Sequence, residues 1–130
     1  MSTLVIIAAL LQATIALGVA AFQVALVFGA PWGEYAFGGA HKGKLPVSFR
    51  VGSAFTLALY AGIVGHYLAQ AGVLTKFLDA SLNGIANWAL VVLNVFSLLA
   101  NSLTQSQKEK TVWAPVAFVL LLASLLVAIG

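Results

Sequence analysis

The stretch LVIIAALLQATIALGVAAFQVALVF, residues 4–28, contains no Asp, Glu, Lys or Arg. About 20 apolar residues carry a helix across the hydrocarbon of a bilayer, so this run is long enough to span with some tilt. Lipid offers no partner for backbone N–H and C=O groups, and a helix satisfies them internally. Gly29-Ala30-Pro31 ends the run, because proline cannot continue helical hydrogen bonding. No Lys or Arg precedes it, so it lacks the basic start of a signal peptide and reads as a retained span. Working outward, three more apolar runs follow at about 47–70, 85–103 and 112–129. Pro46 suits the first turn of the second. Between the second and third, Val73, Leu74, Phe77, Leu78 and Leu82 recur at helical spacing, with Thr75, Lys76, Asp79 and Ser81 on the other face. That pattern predicts a short interfacial helix over 73–82, with Asn83-Gly84 as a turn. The expected fold is all-α, a single membrane domain built as a bundle of four transmembrane helices.

Composition agrees. The chain is 62% hydrophobic and 7% charged, against about a quarter charged in soluble domains. A soluble fold of 130 residues could not hide so much apolar surface. The formal charge is +3, but the bases sit at span edges, which points to the bilayer and away from nucleic acid. There is no cysteine, which removes disulfides, thiol catalysis and Cys-ligated metals.

Lys42, Lys44, Arg50, Lys108 and Lys110 fall on one side of a four-span arrangement, and only Lys76 on the other. The positive-inside rule then predicts that loops 29–46 and 104–111 are cytoplasmic, in a plasma (inner) membrane, with both termini outside.

The sharpest polar pattern lies in the third span. Asn87, Asn94 and Asn101 are spaced by seven, close to two helical turns, so their amides form one stripe. Facing lipid would be costly, so the stripe is expected to point inward. Gln12 and Gln23 share a face of the first span, and pairing of Gln12 with Asn94 and of Gln23 with Asn101 is the economical arrangement. The alternative use of this face is a polar track for an ion, water or small solute. In the second span, Ala61-Gly65-Ala69 is a small-residue stripe that would admit a close neighbour. His66 and Gln70 lie near its outer end. A lone His with no carboxylate or second His at i+3 or i+4 is a poor metal signal, and a neutral imidazole bonded to a neighbouring helix is expected. The fourth span, with only Ser124 polar in its interior, reads as the most lipid-facing helix or an oligomer contact. The residues Lys108-Glu109-Lys110 read as a solvated loop.

The loop from Gly29 to Pro46 carries Trp32, Glu34, Tyr35, His41, Lys42 and Lys44, with Arg50 just beyond. One helical turn is expected near 33–37. Glycines let a backbone approach a ligand, bases pair with phosphate, and Glu34 and His41 are the residues of this loop resembling a general acid or base. These residues are candidates for binding an anionic lipid headgroup. Gly43-Lys44 lacks the spacing and the following Ser or Thr of a phosphate-binding Walker loop.

At this loop the chain resembles a group of small bacterial four-helix membrane proteins that share Gly-Ala-Pro-Trp-Gly, Gly-Gly, Gly-x-Leu-Pro and Arg in this order, here Gly29 to Gly33, Gly38-Gly39, Gly43, Leu45-Pro46 and Arg50. Trp113-Ala114-Pro115 at the last span extends the likeness. The resemblance implies a bacterial plasma membrane and four helices, and brings no established activity. Small multidrug exporters fit less well, since they hold a carboxylate in the first span. Small fluoride channels also fit less well, since their glycine-rich arginine motif is missing.

The leading expectation is a non-enzymatic accessory or ligand- or lipid-binding membrane module. A small channel or transporter along the Asn/Gln face is the second, and a lipid-modifying enzyme using Glu34 or His41 the third. No metal site or cofactor is evident. The expected partners are the bilayer, anionic headgroups, and a homo-oligomer or larger membrane complex.

Overall fold

The computed structural model describes residues 2–130. Its long helices are α1 (Thr3–Val27), α2 (Val47–Gln70), α3 (Ala80–Leu103) and α4 (Gln107–Ile129). Each is long and apolar enough to cross a membrane, and among the described residues there is no strand. The fold is an all-α, multi-pass membrane bundle.

Helix α1 packs against both α2 and α4, and α3 packs against α4. The central position of α1 follows from its alanines. Ala8, Ala9, Ala13, Ala16 and Ala20 are all buried, and small side chains let helix backbones approach closely where lipid supplies no hydrophobic drive. Ile63 and Tyr67 of α2 and Ala123 and Val127 of α4 complete this core. The stripe Ala61-Gly65-Ala69 does not play the expected part. Ala61 is exposed and a Cβ on Gly65 would meet nothing within 4 Å, so of the three only Ala69 is buried against a neighbour. Helix α1 offers a longer run of small residues, and that run takes the contacts. The expectation that the fourth span is the most lipid-facing is also corrected. Helix α4 buries Ala117, Leu120, Ala123, Ser124 and Val127, whereas α2 is the least covered of the four.

The predicted interfacial helix over 73–82 is absent. Residues 71–79 form turns and bends, with Gly72 at φ +82°. Asp79 Oδ1 accepts from Leu82 N at 2.9 Å and caps α3, satisfying a donor that the helix start would leave open. Helix α3 therefore begins at Ala80, and Asn83-Gly84 is helical, not a turn. Helix α4 likewise starts earlier than 112. Ser106 Oγ accepts from Glu109 N at 3.1 Å, which places Lys108, Glu109 and Lys110 in its first turn.

The α1–α2 loop folds onto one end of the bundle, here termed the loop end. It makes two single 3₁₀ turns, Gly33–Tyr35 and Phe37–Gly39, where one turn was expected. Leu26, Ala36 and Leu45 form a small core beneath it, flanked by Phe22 and Phe49. Gly33 N donates to Gly43 O at 2.8 Å. A Cβ on Gly33 would collide with His41 O and stand 2.7 Å from Gly43 O, so only glycine fits there.

Candidate functional site

The folded loop is fastened to the start of α4. Trp113 Nε1 donates to Tyr35 O at 2.9 Å, Gly38 N donates to Glu109 Oε2 at 3.2 Å, and Ser106 Oγ donates to Glu34 O. Lys108 Nζ lies 3.5 Å from Glu34 Oε2 and 5.8 Å from the centre of the Tyr35 ring. The ion pair is partly exposed and adds little stability, but it holds the loop in the same place as the other contacts.

Beneath this cover lies a pocket of about 190 Å³ lined by all four helices and the loop. Its polar lining comes from Gln23, Thr56, Tyr60, Ser97, Asn101 and Glu109. Phe22, Tyr35, Phe37 and Trp113 supply aromatic walls, and Val19, Val116, Ala117 and Leu120 complete the apolar lining. Phe22 and Trp113 meet edge to face with centroids 4.9 Å apart. Glu109 is buried, which corrects its reading as part of a solvated loop. The Oε1 of Gln23 is buried and has no hydrogen-bond partner among the described residues.

The asparagine stripe points inward as expected, but its members serve different ends. At the end away from the loop, α2 and α3 are joined by a buried amide cluster. Gln70 Nε2 donates to Asn83 Oδ1 at 2.7 Å, and Asn83 Nδ2 donates back to Gln70 Oε1 at 2.9 Å. Asn87 Nδ2 donates to the same Oε1 at 3.3 Å. That leaves Asn87 Oδ1 to accept from His66 Nε2 at 2.7 Å, which places an N–H at His66 Nε2. Near the midplane, Gln12 Nε2 and Asn94 Nδ2 both donate to Leu120 O of α4, the latter at 3.2 Å. The expected direct pairing of Gln12 with Asn94 is replaced by this shared carbonyl. Gln23 and Asn101 do not pair either. Asn101 Nδ2 bonds Ser97 O at 2.8 Å within its own helix, and both side chains line the pocket.

The loop residues proposed as one anion site disperse. Arg50 Nε donates to Val27 O at 2.9 Å, and the Lys44 side chain lies across Gly29. Both cations thus sit at the C-terminus of α1, where the helix dipole attracts positive charge. His41 packs edge to face on Phe49, centroids 4.6 Å apart, while Glu34 faces Lys108. Lys42 is exposed. Trp32 and Tyr35 line, with Phe22, Val112 and Trp113, a shallower hollow of about 360 Å³ beside the pocket. Among the described residues, no three of His, Asp and Glu gather as metal ligands would.

Sequence reasoning missed Glu109, Tyr60 and Thr56 as lining residues. The spacing Ser106-x-x-Glu109 is the capping-box signature of a helix start and marked the place where α4 begins. No family model, curated protein or solved structure matches the chain.

Proposed function

We propose that this chain is a non-enzymatic ligand-binding module of the membrane, and that it holds one small amphipathic molecule in the loop-end pocket. The observation that carries this reading is the pocket itself: about 190 Å³, walled by every helix and by the folded loop, with polar and apolar residues together in its lining. An apolar cavity of about 150 Å³ suffices for a benzene ring, so a single ring with a short polar arm fits. The channel reading draws less support. Asn87 and Asn94 of the stripe, with Asn83, spend their amides on Gln70, His66 and Leu120 O, and the pocket lining on α4 reaches no further from the loop end than Leu120. The enzyme reading draws least, since Glu34 and His41 contact different neighbours and form no acid–base pair. Our reading keeps loops 29–46 and 104–111 on the cytoplasmic side of a plasma membrane, where exposed Lys42 would meet anionic headgroups.

Native mass spectrometry of the protein extracted gently from its own membranes tests the reading. A retained small molecule is expected. It should be lost in Ala117→Phe, which fills the pocket from a wall residue that is 2% exposed. Retention of the same molecule by a folded Ala117→Phe protein, or no small molecule in the wild type, would refute it.

A further inference from the structure

The one full charge facing the pocket is negative. Glu109 is 7% exposed, and its carboxylate accepts a single N–H, that of Gly38 at 3.2 Å. Among the described residues the only ion pair is Lys108 with Glu34. Of the two cations that flank Glu109 in sequence, Lys108 is thus turned toward the loop surface, and Lys110 forms no ion pair with Glu109. A carboxylate removed from water and given one neutral donor is under-compensated. The N-terminus of α4 attracts negative charge, which suits a carboxylate at this position without supplying a mobile cation. No Lys, Arg or His lines the pocket.

A second observation points the same way. Gln23, which also lines the pocket, keeps its Oε1 buried and, among the described residues, without a donor. The same pocket is lined by Phe22, Tyr35, Phe37, Tyr60 and Trp113, and aromatic ring faces attract a desolvated cation. Phe22, Tyr35 and Trp113 also line the neighbouring hollow, so the wall between the two spaces is aromatic on both sides.

We infer that the ligand is a small organic cation, a one-ring amine whose ammonium donates to Glu109 and Gln23 while its ring packs against the aromatic wall. This rests on the reading that the pocket binds a ligand, and the experiment separates the two. Full-length protein in nanodiscs of zwitterionic lipid is titrated with three probes of one shape: 2-phenylethylamine, 2-phenylethanol and 3-phenylpropionate. Binding is followed by saturation-transfer NMR, with Ala117→Phe as the filled-pocket control. A charge-assisted hydrogen bond should favour the amine over the alcohol by about tenfold or more. Glu109→Gln, which keeps an acceptor for Gly38 N, should erase that preference, so that amine and alcohol bind alike. Equal binding of all three probes, each blocked by Ala117→Phe, would overturn the cation inference and keep the pocket. Absence of any binding that Ala117→Phe blocks would overturn both.

Discussion

Gln70→Leu should weaken the bundle more than any other single change along the polar stripe. Helices α2 and α3 are not packed against each other along their length, and Gln70 is the hub of the side chains that bridge them. Its amide takes part in three bonds to α3: to Asn83 Oδ1 at 2.7 Å, from Asn83 Nδ2 at 2.9 Å and from Asn87 Nδ2 at 3.3 Å. Interhelical bonds in membranes average about 0.6 kcal/mol by double-mutant cycle, so their joint loss costs roughly 2 kcal/mol. Leaving the buried Asn83 and Asn87 amides short of partners pushes the figure upward. Asn94→Leu is the internal comparison. It removes one bond, at 3.2 Å, to a Leu120 carbonyl that Gln12 also serves, and should cost about 0.6 kcal/mol. The assay is reversible SDS unfolding in mixed micelles, followed by circular dichroism, for each variant and for Gln70→Leu combined with Asn83→Leu. The reciprocal pair predicts a coupling energy of about 1 kcal/mol. Zero coupling, or a Gln70→Leu cost no greater than that of Asn94→Leu, would refute the hub assignment.

Three further outcomes are expected. Gly33→Ala places a methyl against His41 O and 2.7 Å from Gly43 O, so the cover should shift at a cost of about 1–3 kcal/mol. Proteolysis within 33–43 should rise sharply while helical circular dichroism stays unchanged. Arg50→Leu removes the guanidinium that caps α1 at Val27 O, a bond from a charged donor whose loss should cost about 1.5 kcal/mol in the same SDS titration. The chain has no cysteine, so single cysteines report sidedness directly: an impermeant maleimide applied to intact cells should label Val73→Cys and spare Ala40→Cys, two exposed positions at opposite ends of the bundle.

The four spans were legible because lipid imposes one requirement, an internally bonded apolar helix, and hydropathy reports it directly. The helix starts were less so, for a definite reason. Helices α3 and α4 extend past their apolar runs into polar first turns, where Asn83-Gly84 in one reads as a turn and Lys108 to Lys110 in the other as loop. What begins each helix is a side-chain cap, Asp79 and Ser106, and a cap is read from single residues rather than from an average. The inward direction of the asparagine stripe was legible from its period. Its partners were not, because they depend on how each helix is rotated against its neighbours. Gln12 and Asn94 do meet in depth, yet they converge on a backbone carbonyl that no sequence pattern marks.

That distinction accounts for where the pocket lies. A spacing of seven repeats the side-chain direction but does not repeat the neighbour. Asn87 meets His66 and Gln70 across the α2–α3 seam, and Asn94 meets the main chain of α4. Asn101, about 10.5 Å further along by helix geometry, bonds Ser97 of its own helix and reaches no other. Where a stripe residue crosses to a neighbour, it fills the interior. Where it folds back on its own helix, the space beside it stays open, and the aromatic residues of the loop and of α4 close over that space instead. The same residue type at the same period thus seals one end of the bundle and leaves a cavity at the other, and the cavity is the end that holds Glu109.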